Sequence, residues 1–328
     1  MDDIRSPAPI PPWYRETGVG PRSEDGPPLT LPEFAPVPVA RKRRDRRWIN
    51  LLLLLLTVAS TLVVGYFHYV GFAEGLDTPT TLWHGVWYSG TILAILGAHE
   101  LGHYYACRYY RVDASLPYFL PAPFITGTLG AFIRIREPIP TKRILFDIGV
   151  AGPIAGFVVA IPALFVGISQ SRLIAPSGDG GIALGEPLLF QFTAWLVWGD
   201  VADGQALLMH PMAFAAWFGL IATLLNLFPI GHLDGGHISY AVLGSRSTAV
   251  TVAGTAAVIA LAFYSRSWAL WAVLMVVMLA LAGPRHPRTI DHHVPLNRSR
   301  LWVAVFAVFM FIVCFTPALV EISGPAVD

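Results

Sequence analysis

Long runs of apolar residues are the feature that most constrains how this chain can fold. Residues 48–73 contain no Asp, Glu, Lys or Arg, and about 20 apolar residues suffice for a helix that crosses a bilayer. Similar runs occupy residues 78–98, 148–171, 205–233, 247–265, 267–284 and 301–320, whereas the run at 187–199 is too short to span. With 55% hydrophobic and 13% charged residues, the sequence predicts an all-α polytopic membrane protein with about six to seven transmembrane helices.

The positions of the basic residues predict the orientation of these helices. Six of the seven residues in RKRRDRR, 41–47, are basic, and such clusters beside a span mark the cytoplasmic side. With the N-terminus cytoplasmic, Arg172 is the one Lys or Arg in the predicted outer segments 72–81 and 172–204, while Arg266 is an exception. Few lysines and many Arg, Ala, Gly and Pro residues suggest a bacterial source. We therefore expect a multi-pass protein of a bacterial inner membrane.

Composition also predicts the domain organisation and excludes some partners. Residues 1–47 are rich in proline and end in the basic cluster, so we expect a disordered cytoplasmic tail with a basic anchor, followed by a transmembrane domain at 48–328. The net charge is +1 and no basic patch is interleaved with aromatic residues, which argues against nucleic acid as a partner. Cys107 and Cys314 lie on separate apolar segments, so a disulfide or a cysteine-based metal site is not expected.

The segment AILGAHELGHYYA, residues 94–106, places three polar residues in an apolar helix. His99 and His103 are four residues apart, so both imidazoles share one helical face and can bind one cation. Glu100 lies beside them as a candidate base. Two imidazoles plus a carboxylate suit zinc. Ionisable residues are costly within a membrane span, so their presence there indicates a functional site. The motif predicts a zinc site.

A third ligand is expected from NLFPIGHLDGGH, residues 226–237. Asp234 lies at the end of the fourth predicted span, where Pro and Gly residues interrupt the helix, and irregular backbone at membrane depth is tolerated where it lines a cavity. The predicted topology brings Asp234 and the two histidines into the cytoplasmic half of the membrane. His232 and His237 flank Asp234 and are alternative ligands, supporting contacts, or a polar lining of the cavity.

Four blocks in this sequence resemble the site-2 protease family of intramembrane zinc metalloproteases: HELGH (99–103), PYFLPAPFITGTLGAFIRIREPIP (117–140), FDIGVAGPIAGF (146–157) and NLFPIGHLDGG (226–236). The resemblance covers a catalytic core of about 85–245. It implies His99, His103 and Asp234 as zinc ligands and Glu100 as the catalytic base, with Asn226 near the substrate. Residues 172–204 are too short for a PDZ domain and no segment after Val320 fits a CBS pair, so we expect a compact member.

The segment GAFIRI, residues 130–135, follows glycines that break the helical pattern. It predicts a short re-entrant β-hairpin near the active site, because an exposed strand edge can bind an extended peptide by backbone pairing. Gly130, Ala131 and Phe132 are the candidate substrate-binding residues, although a plain amphipathic loop is the alternative. Asp147, at a predicted membrane boundary, is expected to pair with Lys142 or Arg143.

Together these features predict a zinc-dependent intramembrane endopeptidase. Its partners would be the lipid bilayer and a transmembrane protein or peptide, cleaved within its membrane-spanning segment. The alternatives are a catalytically inactive membrane chaperone or a metal transporter on the same scaffold, and a metal-dependent lipid hydrolase is harder to exclude from residues alone. The clustering of polar residues at one depth favours a site over a transport path, and the presence of Glu100 argues against an inactive protein.

Overall fold

The computed structural model describes residues 46–76, 79–124, 126–175, 181–202, 204–283, 286, 289–291 and 293–323. Most of the predicted tail, residues 1–45, lies outside the described residues. The structure is mostly helical. The helices are α1 (Arg47–Ala73), α2 (Val86–Tyr109), α3 (Lys142–Ser169), α4 (Leu188–Trp198), α5 (Pro211–Leu227), α6 (Asp234–Leu243), α7 (Ser247–Tyr264), α8 (Ala269–Ala282) and α9 (Arg298–Cys314).

Within the described part of the chain, short strands form three antiparallel pairs. The strands are β1 (Tyr118–Pro121), β2 (Thr128–Phe132), β3 (Arg172–Ile174), β4 (Gly181–Leu184), β5 (Ala206–Leu208) and β6 (Val320–Ser323). β1 pairs with β2, β3 with β5, and β4 with β6. The β1–β2 register places Tyr118 opposite Phe132 and Leu120 opposite Gly130, with an irregularity between Leu120 and Pro121.

Among the described residues, three helical segments are long and apolar enough to cross a membrane. They are Arg47–Ala73, Lys142–Ser169 and the nearly continuous Asp234–Tyr264, which joins α6 to α7. Helix α2 is less apolar because it carries His99, Glu100 and His103 in its interior. These segments support the membrane character of the chain. The six to seven spans predicted from the sequence are not confirmed, because three described segments meet the length and composition that a span requires.

Several predicted helix boundaries are wrong, for local reasons. The second helix begins at Val86 rather than at residue 78. The third begins six residues early, at Lys142, because the Thr141 side chain caps it by accepting a hydrogen bond from the Ile144 N–H at 3.3 Å. The fourth, expected over 205–233, is α5, which begins at Pro211. It ends at Leu227 because a proline at position 229 favours extended backbone at Phe228, whose ψ is 132°.

Helix α3 lies at the centre of the packing. It contacts α2, α4, α5, α6 and α9, and its buried surface includes Phe146, Phe157 and Leu164. Asp147 on α3 does not pair with Lys142 or Arg143 as expected. Its carboxylate accepts two hydrogen bonds from the Arg300 guanidinium, at 2.8 and 2.6 Å, and another from the Tyr110 hydroxyl. The planar fork of arginine suits such a bidentate pair, which joins the start of α9 to α3.

Candidate metal centre

His99 and His103 lie on one face of α2 and both are buried. Their Nε2 atoms are 3.1 Å apart, as expected for two residues one helical turn apart whose rings turn toward the same point. The predicted convergence of the two imidazoles is therefore present in the structure.

Asp234 approaches the two histidines from the first turn of α6. Its Oδ2 lies 3.2 Å from the Nε2 atom of each histidine, and only 13% of its side chain is exposed. The break between α5 and α6 makes this possible, because the chain turns over residues 228–233 before it becomes helical again at Asp234. The structure thus joins two segments that are far apart in sequence.

These three side chains fit a transition-metal ion. Their donor atoms lie within 4.8 Å of one another, and the group His99, His103 and Asp234 is the one such group of three found among the described residues. Donors about 2.0–2.1 Å from one tetrahedral zinc lie roughly 3.3 Å apart, and the observed separations are 3.1–3.2 Å. Two nitrogens and one oxygen form a donor set that suits zinc and leaves a fourth position open.

A backbone carbonyl orients His103. The Nδ1 atom of His103 lies 2.7 Å from the carbonyl oxygen of Ile148 in α3. A carbonyl can only accept, so Nδ1 carries the proton and the lone pair of Nε2 points toward Asp234 and His99. Such a contact is the usual way in which a metal-ligating histidine is fixed in position. No sequence pattern predicts this contact, because every residue type offers a backbone carbonyl.

Glycines in α3 make room for the two imidazoles. A Cβ atom added to Gly152 would collide with the ring of His103, and one added to Gly156 would lie 3.1 Å from the Cβ of His99. The AGPIAG segment, residues 151–156, is therefore close-packed against the motif helix, as small residues between membrane helices allow. Its glycines also shape the site itself.

Glu100 lies beside the three converging side chains and is 7% exposed. Its carboxylate approaches the backbone N–H of Ile133, the residue that follows β2. A carboxylate so close to the metal-ligand group can accept a proton from a water molecule held there. The end of β2 is also adjacent to this position, so an extended chain bound along β2 would lie near the same group.

Side chains from α1 and α2 hold the β1–β2 hairpin in place. Ser60 donates to the Gly127 carbonyl at 2.7 Å, and the Tyr88 hydroxyl donates to the Thr126 carbonyl at 2.7 Å. The Asn50 amide donates to the carbonyls of Leu116 and Pro117, both at 3.0 Å. Gly127 has a φ of 69° and approaches the α1 backbone so closely that a side chain would not fit. The hairpin is thus attached to the helices at several points.

The predicted substrate residues lie on β2 and α5. Among the described residues β2 pairs only with β1, so its other edge is free of strand partners. Gly130 and Ala131 are half-buried on that strand, and Phe132 is 46% exposed. Asn226 is half-buried in the last turn of α5, ahead of the break that leads to Asp234. The contact of these four residues with a substrate stays a prediction.

His232 and His237 do not join the group that holds Asp234. The Nδ1 atom of His237 lies 2.7 Å from the Nε2 atom of His286, which follows α8 in the chain. His232 is exposed and its ring centroid is 6.3 Å from that of His237. His292 lies outside the described residues.

Comparison with known proteins agrees with this arrangement. The model of peptidase family M50, the site-2 protease family, matches residues 87–265, which is more than half of the chain. The chain belongs to peptidase family M50. The family resemblance predicted from four blocks of sequence is thereby confirmed, and the family supports the zinc metallopeptidase class to which the resemblance pointed.

Curated plant proteins are similar to the chain over parts of their length. A probable zinc metalloprotease EGY2, chloroplastic, from Oryza sativa subsp. indica is 30% identical over 252 residues, which is 73% of this chain and 44% of the relative. A probable zinc metalloprotease EGY1, chloroplastic, from Oryza sativa subsp. japonica is 33% identical over 162 residues, which is 47% of this chain and 27% of the relative. A probable zinc metalloprotease EGY2, chloroplastic, from Arabidopsis thaliana is 29% identical over 208 residues, which is 61% of this chain and 36% of the relative. The chain spans less than half the length of these relatives.

Proposed function

We propose that this chain is a zinc-dependent intramembrane endopeptidase that hydrolyses peptide bonds within transmembrane segments of membrane proteins. The observation that carries the proposal is the convergence of His99, His103 and Asp234 beside a buried Glu100. Family membership and the names of the relatives support zinc chemistry, while the apolar helices around the motif support a site within the membrane.

In this proposal His99, His103 and Asp234 would hold the zinc ion. When bound, zinc acts as a Lewis acid on the scissile carbonyl and makes water a competent nucleophile at neutral pH. The Ile148 carbonyl keeps His103 in the ligating tautomer. Gly152 and Gly156 keep α3 close enough for that contact to form.

Glu100 would move the proton. Its carboxylate takes a proton from the attacking water and returns it to the nitrogen of the leaving peptide, which is general base and then general acid catalysis. Burial of Glu100 among apolar helices excludes bulk water from this exchange. The same four residues argue against an inactive chaperone, because such a protein would be expected to lose a ligand or the base.

The free edge of β2 would hold the substrate. A peptide bond in a helix is hydrogen-bonded and shielded, so a transmembrane helix must unwind before it is cut. A strand edge supplies new backbone partners to the unwound segment, and Gly130, Ala131 and Phe132 lie on this strand. Asn226 would contact the substrate from α5. We also propose that the hairpin is re-entrant, so that it enters the membrane from the cytoplasmic side and returns to that side.

The proposed topology has six to seven membrane-spanning helices with a cytoplasmic N-terminus. The site then lies in the cytoplasmic half of the membrane, within a transmembrane domain at 48–328 whose catalytic core is about 85–245, preceded by the tail at 1–47. The source membrane stays a prediction: the sequence composition suggests a bacterial inner membrane, whereas the names of the relatives place those proteins in chloroplasts.

The test is Glu100→Gln in the full chain, reconstituted in liposomes with a panel of single-span peptides and read by mass spectrometry of the products. We expect wild type to cut at least one peptide. Glu100→Gln should slow cleavage at least about 100-fold, because general acid–base catalysis contributes at least that factor. Zinc content, measured separately, should stay unchanged because Glu100 is not a ligand.

The matched control is Glu74→Gln, an exposed residue just after α1, which should cut at the wild-type rate. Cleavage by Glu100→Gln at the rate of this control would remove Glu100 from the mechanism.

A further inference from the structure

A second group of histidines lies close to the metal centre but outside it. His232 and His237 flank Asp234, and His286 comes from the chain that follows α8. The ring centroids of His237 and His286 are 5.0 Å apart, and that of His232 is 6.3 Å from the first and 6.4 Å from the second. Three imidazoles from two distant segments therefore meet in one place.

His286 is held at this place by several contacts. Its ring stacks on Tyr240 of α6, with centroids 4.4 Å apart and an interplanar angle of 16°. The backbone N–H of Thr289 donates to the Tyr240 hydroxyl at 3.1 Å. Further along, the Asp291 carboxylate accepts from the Lys142 N–H at 2.7 Å. These contacts place His286 and Thr289 against α6, and Asp291 against the start of α3.

Two of the three rings are spaced as ligands of one metal ion are. The Nδ1 of His237 and the Nε2 of His286 are 2.7 Å apart, a hydrogen bond in which one ring donates to the other, and a metal ion bound between them would replace the shared proton. Imidazole rings that share one tetrahedral zinc have centroids roughly 5 Å apart, which is the spacing of His237 and His286. The ring of His232 is about 1 Å farther away than this, and the three histidines do not each bring a nitrogen within 4.8 Å of the others. Because the His232 side chain is exposed, its ring can turn to complete the group.

We propose that His232, His237 and His286 form a second site, which binds a divalent transition-metal ion such as zinc. Three neutral imidazoles select such an ion over magnesium or calcium, which prefer oxygen ligands. The exposure of His232 opens the site to water, in contrast to the buried His99 and His103. His237 is one helical turn beyond Asp234 on α6, so an ion bound here would lie next to the buried centre.

The experiment measures zinc binding to the full chain in detergent, by titration of metal-free protein and elemental analysis. Wild type should bind two zinc ions per chain, the second more weakly. His232→Ala and His286→Ala should each weaken the second ion at least about tenfold and leave the first. Because His232 is exposed, its replacement should not disturb folding. His84→Ala, at a half-buried histidine that stacks on Tyr69 near the start of α2, is the control and should keep both ions.

A variant that lacks the buried centre gives a second measurement. The double variant His99→Ala, His103→Ala should still bind one cobalt(II) ion, with an absorption spectrum of nitrogen ligation that disappears when His286→Ala is added. Saturation of wild type at one zinc, or a second ion that survives the loss of His232 and His286, would overturn the proposal. Since Glu100→Gln should keep both ions, this result is independent of whether the chain cleaves peptides.

Discussion

Helices α1 and α3 are almost equal in length, 27 and 28 residues, and in mean hydropathy, yet 61% of the most apolar stretch of α3 is buried against 22% for α1. Leu51, Leu55 and Phe67 of α1 are exposed, as suits a lipid-facing helix. The buried positions of α1 are mostly small or polar: Asn50, Thr57, Thr61, Gly65, Phe72 and Ala73. Lipid tails are as apolar as leucine, so hydropathy drives insertion while small and polar residues determine which face packs.

The same comparison explains the metal centre. Gly152 and Gly156 of α3 lie opposite the imidazoles of α2, so the more buried of the two compared helices is also the one that supports the ligands. If this is correct, small changes in α3 should affect the metal, whereas similar changes in α1 should not.

The largest effect is expected from Gly152→Ala. The added methyl group would collide with the His103 ring and move its Nε2 away from Asp234 and His99. We expect zinc affinity to fall at least about tenfold, as when other contacts that orient a ligand are lost. The measurement is zinc content after dialysis against a chelator. The control is Gly71→Ala in α1, where no atom lies within 4 Å of the added carbon; an equal zinc loss in both variants would refute the comparison.

A smaller effect is expected from Gly167→Ala, at the other end of α3. Its Cβ would lie 2.6 Å from the Cα of Ala213 in α5, so the two helices must separate. Overpacking of this kind costs about 1–3 kcal/mol of the free energy of unfolding. The thermal midpoint in detergent should fall, while the folded fraction should keep its zinc. Zinc loss as severe as in Gly152→Ala would show that the effect at Gly152 is not local.

The smallest effect is expected from Ser60→Ala, on the protein-facing side of α1. It removes the hydrogen bond to the Gly127 carbonyl, a contribution of about 1 kcal/mol. Backbone hydrogen exchange at residues 126–132 should become about fivefold faster because the hairpin opens more often. Leu55→Ala deletes more atoms but from an exposed position, and should leave that exchange unchanged. Faster exchange in both variants would mean that the two faces of α1 do not differ.

The sequence was sufficient for the features that depend on residue type. The spacing of His99 and His103, the isolated Asp234 and the four sequence blocks predicted the ligand group and the family. It was insufficient where partners are backbone atoms or distant residues. The Ile148 carbonyl that orients His103 has no sequence signature. Asp147 pairs with Arg300, 153 positions along the chain, because tertiary packing brings the start of α9 there. For the same reason the contact of His286 with His237 could not be predicted.

The most direct test of the central claim is the number of zinc ions retained per chain after dialysis against a chelator, which removes weakly held ions, for wild type, His99→Ala and Asp234→Ala. His99 and Asp234 come from segments more than 130 residues apart, and the structure joins them with Oδ2 and Nε2 3.2 Å apart. We predict about one retained zinc in wild type and none in either variant, with His84→Ala unchanged. A wild type that retains no zinc after metal supplementation, or Asp234→Ala that retains the ion as wild type does, would contradict the proposed centre.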